Sequence, residues 1–339
     1  MISRRRFVEV ALLLCANAPT MARAQRSGKA PIVAIVLGTP QAAEMAGPIP
    51  RTDIVRVFLQ RMRELGWEDG RNIVIERHSA EAEVERARAI FADLAARKVD
   101  VIVTAGNVGA ALMPEEALRA TRSIPIVFVG GGADPVARGL IASFSRPGGN
   151  VTGFVVTLGL EFVLKRLEVL KEIVPGIKRV AVLTPKADFD ANVERMRSGL
   201  AKLGITVLLA QVETPEDYEG AFAAATSGRA DAMYVSNVSL NRTHRQRIVA
   251  LAAKYRLPAE YFFRESVEDG GLAAYGVDLL DLSRRAAGYA DRILRGANPG
   301  DLPVELPSKF ELVINLKTAR ALGIKIPQPV LLRATNVIE

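Results

Sequence analysis

Short apolar runs alternate with amphipathic stretches from Pro31 onward. Residues 32–37 form an uninterrupted apolar run of strand length, and residues 51–65 repeat apolar side chains at helical spacing. The alternation continues with predicted strands at 72–76, 99–104 and 125–129 and predicted helices at 83–97 and 108–119. Pro114 should start a new helical turn or kink the last of these helices. Because right-handed crossovers connect such units, the first half predicts an open parallel sheet with helices on both faces.

A turn-rich break at 145–150 precedes a second alternation of the same kind. After a strand-like segment at 151–156, it predicts helices at 160–174, 190–203, 216–227 and 243–255, and strands at 179–184, 205–211, 231–235, 259–262 and 272–275. A second doubly wound unit fits this pattern. The chain is therefore predicted to be an α/β protein with two Rossmann-like, doubly wound lobes.

The remaining segment does not form a third unit. It predicts an amphipathic helix at 279–295, a strand at 310–314 and a short helix at 316–322. These few elements cannot bury their own apolar faces, so we expect them to complete the two earlier sheets. The chain then crosses between the lobes more than once, which makes a hinge with a cleft between the lobes.

The N-terminus has the pattern of an export signal at residues 1–24. Arg4, Arg5 and Arg6 precede an apolar stretch at 8–16, and Ala22-Arg23-Ala24 is a small-x-small cleavage pattern. The run around the arginines resembles a twin-arginine signal, whereas Glu9 in place of a basic residue leaves the Sec route open. A lipoprotein signal at Cys15 and a disordered basic tail are the less favoured alternatives.

Composition excludes several classes of protein. The 339 residues suffice for two domains, and 49% hydrophobic with 24% charged residues is typical of a globular chain. No apolar run reaches the roughly 20 residues that span a bilayer. Cys15 is the only cysteine, so the folded body has no disulfide framework, cysteine nucleophile or thiolate metal site. The net charge of +8 is scattered, without basic–aromatic blocks, so no nucleic-acid partner is expected.

The motifs of common enzymes are missing from the sequence. There are two histidines, His78 and His244, and no H-E-x-x-H, G-x-S-x-G or P-loop pattern. Gly130-Gly131-Gly132 follows a strand but lacks the spacing of a dinucleotide-binding loop. The sequence therefore predicts a protein that is not an enzyme and that uses no cofactor and no metal.

Binding residues are expected where parallel strands end, because ligands of open α/β sheets lie at the carboxyl ends of the strands. The candidates at these ends are Thr39, Thr104, Gly106, Asn107, Asp134, Thr184, Asn237, Phe262 and Tyr275. A helix beginning at Gly106-Asn107 would offer free N–H groups to a carboxylate. Asp134 would accept an ammonium group, and Phe262 or Tyr275 would stack on a planar group.

Each candidate also has a purely structural interpretation. Thr104, Asn107 and Asn237 are residue types that cap helices, and Asp134 before a proline is typical of a turn. Phe262 and Tyr275 are equally compatible with a role as core aromatic residues. The sequence leaves these alternatives open.

Several stretches together resemble the ABC transporter substrate-binding protein family that includes tryptophan- and tyrosine-type binding proteins. They are Ile124-Pro125-Ile126-Val127-Phe128-Val129, Asp134-Pro135-Val136, residues 146–153, Gly270-Gly271-Leu272 with Tyr275-Gly276, residues 284–287, residues 301–305 and residues 309–319. The resemblance covers essentially the whole chain after the signal. The aromatic loop at 261–265 departs from the family pattern.

The resemblance implies a type I periplasmic binding fold with a three-crossover hinge and a ligand held between the lobes. It implies residues 31–153 with 278–309 as one lobe, and residues 154–277 with 310–339 as the other. It further implies a monomeric periplasmic protein that binds a small carboxylate-bearing solute, an amino acid or aromatic acid. The partner would be an inner-membrane ABC permease with its ATPase. The alternatives are a ligand-sensing module that feeds a membrane receptor and an exported α/β enzyme.

Overall fold

The strands of the first half form one parallel sheet and one small hairpin. The computed structural model describes residues 29–108, 111–130, 134–156 and 159–339, so the predicted signal at 1–24 lies outside the described residues. The strands are β1 (Ile32–Leu37), β2 (Val74–Ser79), β3 (Val101–Ala105), β4 (Asn107–Val108), β5 (Ala111–Leu112), β6 (Ile126–Gly130) and β7 (Val151–Val155). The parallel sheet has the order β2-β1-β3-β6-β7, and β4 pairs with β5 in antiparallel fashion.

A second sheet of the described chain contains the later strands. They are β8 (Arg179–Thr184), β9 (Thr206–Gln211), β10 (Ala232–Val235), β11 (Ala259–Tyr261), β12 (Ala273–Val277), β13 (Phe310–Asn315) and β14 (Asn336–Ile338). Their spatial order is β14-β13-β12-β11-β10-β8-β9. All neighbouring strands in this sheet are parallel except β12 and β13. The sequence pattern did not predict this antiparallel pair.

Helices cover both sheets. They are α1 (Ala42–Met45), α2 (Asp53–Glu64), α3 (Val84–Arg97), α4 (Met113–Ala120), α5 (Leu160–Ile173), α6 (Lys186–Leu203), α7 (Tyr218–Ser227), α8 (Ser239–Thr243), α9 (Arg245–Lys254), α10 (Arg264–Glu268), α11 (Leu279–Leu294), α12 (Leu316–Leu322) and α13 (Gln328–Arg333). The predicted α/β class with two doubly wound lobes is confirmed.

The apolar periodicity of α2 explains where that helix packs. Phe58 and Met62 are buried together with Ile35 of the first sheet and Leu282 of α11. Each such side chain contributes about 1.5–3 kcal/mol on burial. The Ser283 hydroxyl adds a 2.7 Å hydrogen bond to the carbonyl of Ile54, so α11 belongs to the first lobe although it follows the second in sequence.

The chain passes between the two sheets three times, after β7, after β12 and before β13. Two of these connections touch, because the N–H of Asp278 donates to the carbonyl of Lys309 at 3.3 Å. Within the described ranges, the hydrogen bonds of the hinge lie at this contact between connections, where Lys309 also bonds to Asp281 of α11. Hydrogen bonding therefore leaves the lobes free to change their angle about the connections.

Several details differ from the sequence prediction. The helix expected at 108–119 starts only at Met113, with Pro114 in its first turn, because the β4–β5 hairpin occupies the preceding residues. The predicted turn start at Pro114 is thus confirmed. Helices α10 and α13 and strand β14 were not predicted, since each is too short to show a periodic apolar pattern.

Gly153 allows β6 and β7 to lie unusually close. Its φ is +147°, and a Cβ at this position would lie 2.0 Å from the carbonyl oxygen of Phe128.

We therefore expect Gly153→Ala to lower the free energy of unfolding by about 3 kcal/mol, measured by urea denaturation. At Gly149 a Cβ would meet no atom within 4 Å. Gly149→Ala should change the free energy of unfolding by less than about 0.5 kcal/mol. If both variants lost the same free energy of unfolding, close approach of β6 to Gly153 would not be the cause.

A buried carboxyl on β13 makes stability depend on pH. Burial raises the pKa of Glu311 to about 7, although Arg264 opposes the shift. Between about pH 4.5 and pH 7, Glu311 therefore keeps its proton in the folded chain and has lost it in the unfolded chain. The free energy of unfolding consequently falls as the pH rises through this window. We expect Glu311→Gln to remove up to about 3 kcal/mol of this fall. The measurement is urea denaturation at several pH values, with Glu216→Gln at an exposed position as the control. If the free energy of unfolding of Glu311→Gln depended on pH as it does in the wild type, the raised pKa of Glu311 would be refuted.

Candidate functional site

A small niche lies where β10 and β11 end in the second lobe. Its lining includes Ser236, Asn237, Arg242, Phe262 and Phe263, and its volume is about 20 Å³. This is the space of roughly one water molecule. The niche therefore suits a small polar group rather than a ring.

Buried hydrogen bonds fix α8 against the strand ends. The Asn241 amide donates to the carbonyl of Leu183 at 3.0 Å and to the carbonyl of Ser236 at 3.1 Å. The Tyr218 hydroxyl donates to Asn241 Oδ1 at 3.0 Å, and the Ser236 hydroxyl donates to Leu183 at 2.8 Å. Because these polar groups are satisfied, α8 holds the next residue, Arg242, in a defined place.

Arg242 brings a positive charge to the niche. Its guanidinium lies over the ring of Phe263, 4.4 Å from the centroid. Burial lowers the pKa of Arg242 below its ordinary value; Glu265 opposes this effect and Arg245 adds to it. Arg242 takes part in no ion pair with any residue that the structure describes. A cation in this condition favours a bound anion.

Two buried polar atoms lack a hydrogen-bond partner among the described residues, one on Ser239 of α8 and one on Glu265, whose charge acts on Arg242. They are the Ser239 hydroxyl oxygen and Glu265 Oε2. The guanidinium of Arg264 bonds to Glu268 at 2.9 Å and to Glu311 at 3.2 Å, and the charge of Glu265 also helps to raise the pKa of Arg264. Glu265 does not line the niche, so its charge acts on Arg242 from outside the niche.

A buried ion pair supports the floor of the site. Arg166 of α5 and Glu260 of β11 are at most 1% exposed, and their side chains are joined at 2.8 Å and 3.1 Å. Arg166 also donates to the Tyr234 hydroxyl at 2.7 Å, and its guanidinium lies 5.2 Å from the Phe262 ring centroid. Burial raises the pKa of Glu260 to about 7 against the effect of Arg166. The pair therefore ties Phe262 to α5.

Aromatic rings gather where the lobes meet. The Phe162 ring lies 6.0 Å from Phe262, 5.5 Å from Tyr275 and 5.2 Å from Phe310, between centroids. Phe262 directly follows β11, which belongs to the second sheet. Its side chain is nevertheless buried in the core cluster of the first lobe. Phe262 and Tyr275 therefore pack against other rings, and Phe262 also borders the niche.

The predicted residues of the first lobe are arranged differently from the expectation. The Thr104 side chain is fully buried, and its hydroxyl donates to the carbonyl of Val36 at 3.0 Å. The Gly106 N–H donates to the carbonyl of Val129 at 3.2 Å. The expected helix N-terminus at Gly106-Asn107 is therefore wrong, because α4 starts later and this N–H is already bonded. Nothing is described of the Asn107 side chain.

Three further candidates lie at strand ends or turns. Asp134 is exposed, and its Oδ1 accepts the N–H groups of Val136 at 3.1 Å and Ala137 at 2.9 Å, as in a turn. Thr39 is half-buried after β1, and Thr184 is buried at the end of β8. The contribution of these residues to binding stays a prediction.

The structure brings Asn237 and Phe262 together around the niche and connects Tyr275 to them through Phe162. Sequence reasoning missed Arg242 and did not select Glu265. Both follow strand ends by a few residues, so a search for charged side chains just beyond those ends would have found them.

The described residues offer little for other chemistry. They contain no cluster of three or more histidine, cysteine or acidic side chains that could hold a metal ion. None of the described helices is both long enough and apolar enough to cross a membrane. The lining of the niche instead consists of a cation, amides, hydroxyls and rings together with apolar residues.

Comparisons with known proteins agree with this architecture. A tyrosine-binding protein of Clostridioides difficile (strain R20291) is 27% identical over 270 residues, which cover 79% of this chain and 76% of the relative. A conserved domain protein from Vibrio cholerae has a TM-score of 0.77 and 26% identity, covering 91% of this chain and 100% of that one. An ABC domain from Streptococcus pneumoniae, solved in complex with L-Trp, has a TM-score of 0.77 and 24% identity with the same coverage, and so shows the fold.

The family model described as ABC transporter substrate binding protein matches residues 50–338, which is most of the chain. Two parallel-sheet lobes, three connections and polar groups at the strand ends are the structural features that accompany this match. The chain belongs to the ABC transporter substrate-binding protein family.

Proposed function

We propose that this protein is the periplasmic solute-binding component of an ABC importer and that its ligand is a small molecule with a carboxylate. The observation that carries the ligand class is the half-buried Arg242, which lies over Phe263 in a niche bordered by rings. A carboxylate on a guanidinium makes charge-assisted hydrogen bonds worth about 1.5–3 kcal/mol. A neutral sugar offers no such counter-charge.

An aromatic amino acid or aromatic acid fits the surroundings of this charge. Phe262 and Phe263 lie edge to face, with ring centroids 4.6 Å apart. A ligand ring beside them would add about 0.5–1.5 kcal/mol beyond its area burial. The relative from Clostridioides difficile is a tyrosine-binding protein, which supports this ligand class.

The binding event is proposed to close the lobes. The hydrogen bonds of the hinge lie at the Asp278–Lys309 contact, so closure meets little polar resistance elsewhere among the described residues. A ligand held on the second lobe would favour the closed state by contacting first-lobe residues such as Thr39 and Asp134. The closed monomer would deliver the ligand unchanged to an inner-membrane permease with its ATPase. The export signal at 1–24 would bring the protein to the periplasm.

Isothermal titration calorimetry of the purified protein tests the ligand class. We expect binding heat with L-tyrosine, L-tryptophan or phenylacetate, and none with myo-inositol or glucose, because only the first group carries a carboxylate. Binding of the neutral sugars alone would contradict the proposal. Chromatography of the ligand after long incubation should recover it intact, and conversion to a product would instead support an exported enzyme.

A further inference from the structure

We infer that the edge of the second sheet opposite to the niche binds anionic phospholipid headgroups at the face of a membrane. This edge, called the basic edge below, carries five exposed cationic residues: Lys178, Lys202, Arg229, Arg256 and Arg320. The inference goes beyond the proposed function, because it concerns how the protein is held at a membrane and not which solute it binds.

The direction of the strands brings these cations together. Strands β8 to β12 are parallel, so the segments that lead into them lie side by side at one edge. The N–H of Thr206 donates to the carbonyl of Lys178 at 2.7 Å, and the N–H of Asp231 donates to the carbonyl of Arg179 at 2.8 Å. The cations that lead into β8, β9, β10 and β11 are, in this order, Lys178, Lys202, Arg229 and Arg256.

Helix α12 extends the row beyond β12. Strand β13 runs antiparallel to β12, so its end lies at the same edge, where the Asn315 N–H donates to the carbonyl of Leu272 at 2.9 Å. Helix α12 follows directly and carries Arg320 in its last turn. The Arg256 guanidinium donates to the carbonyl of Ala321 at 3.0 Å, which connects α12 to the start of β11. Neighbouring strands lie about 4.8 Å apart, so the row from β13 to β9 is about 24 Å long.

The chain does not neutralise these charges. None of the five exposed cations forms an ion pair with a residue that the structure describes, although Lys254, on the helix before β11, pairs with Glu219 at 2.5 Å. The corresponding edge of the first sheet is mixed in charge, because Arg71 pairs with Glu68 at 2.9 Å and Asp100 directly precedes β3. Exposed, unpaired cations therefore concentrate at one end of the second lobe.

A recess in the basic edge has room for a lipid headgroup. Its volume is about 500 Å³, and its lining includes Lys178, Arg179 and Thr206 at the starts of β8 and β9. A cavity of this volume holds a small organic molecule. The two cationic side chains and the threonine hydroxyl are donors, and the oxygens of a phosphate accept hydrogen bonds from such groups.

Few carboxylates oppose an anion at this edge. Asp231 also lines the recess, but its Oδ2 accepts the backbone N–H groups of Lys178 and Arg179 at 2.8 Å each. Asp231 forms no ion pair with a side chain in the described part of the chain. The other carboxylates near the edge are those of Asp269, which pairs with Arg245, and of the terminal Glu339.

An anionic membrane surface is the partner that these observations favour. Clusters of about 4–8 lysines and arginines bind membranes that contain anionic lipids, and each cation adds to the attraction. The row is long and exposed, so it meets several headgroups at once, whereas one free phosphate meets only the cations of the recess. The niche lies at the opposite ends of β10 and β11, so membrane contact at the basic edge does not cover it.

The test uses residues 25–339, because the arginines and the apolar stretch of residues 1–24 would themselves bind membranes. Residues 31–339 form one compact unit, so this fragment keeps both sheets. In sedimentation assays we expect binding to vesicles of phosphatidylglycerol and phosphatidylcholine in equal parts, and at least about tenfold weaker binding to phosphatidylcholine alone. Raising the salt from about 0.1 M to 1 M shortens the screening length from about 10 Å to 3 Å and should release the protein. Equal binding to both vesicles would overturn the inference.

Two triple variants assign the binding to the basic edge. The first removes three of its charges by Lys178→Gln, Lys202→Gln and Arg229→Gln. The control removes three exposed charges of the first lobe by Lys98→Gln, Arg122→Gln and Arg146→Gln. The first should weaken binding to the anionic vesicles at least about tenfold, and the control less than about threefold. Equal weakening would show that net charge alone attracts the membrane, which would overturn the inference.

A charge-conserving variant separates charge from folding. The substitutions Lys178→Arg, Lys202→Arg and Arg229→Lys should leave both vesicle binding and the melting temperature close to those of the wild type, because the exposed positive charges remain. Loss of vesicle binding in this variant at an unchanged melting temperature would show that charge is not the cause and would overturn the inference.

Two other anionic partners are outcomes against the inference. Inorganic phosphate and poly-L-glutamate are each offered to the same protein without vesicles. Binding of either one, lost in the first triple variant and accompanied by no binding of anionic vesicles, would assign the basic edge to a free anion or to an acidic protein. Failure of vesicle binding would leave the proposed solute binding standing, because calorimetry with the solutes tests that separately.

Discussion

The contact of the Arg242 guanidinium with the Phe263 ring is the interaction on which the site depends, because it holds a positive charge at the ends of β10 and β11. Arg242 could lie at the surface, as its neighbour Arg245 does with Asp269, yet α8 holds it against Phe263. Because Arg242 makes no ion pair within the described residues, a ligand carboxylate would gain affinity from charge-assisted hydrogen bonds to it.

The rigid support of this charge lies one layer deeper. Asn241 fixes α8 to the ends of β8 and β10, and the Arg166–Glu260 pair fixes Phe262 beneath the niche. Phe262 also reaches into the core of the first lobe. The residue that borders the niche is thus part of the region where the lobes join. A ligand in the niche would therefore contact a residue of the region where the lobes join.

Much of the fold follows from the sequence, because long buried strands and amphipathic helices carry strong periodic patterns. The site follows less completely. Gly106 looked free for an anion because a two-residue hairpin leaves no periodic signal, and its N–H bonds across the sheet to Val129. Phe262 and Asn237 were found because strand ends mark their position. Arg242 was missed because a charged residue on a short helix usually faces solvent, and only tertiary packing shows that this guanidinium lies over Phe263.

A crystal structure of the complex with L-tyrosine tests the central claim most directly. We expect the carboxylate oxygens of the ligand to lie within about 3.2 Å of the Arg242 guanidinium. A ligand bound elsewhere in the cleft, with Arg242 still stacked on Phe263 and no anion beside it, would contradict the account.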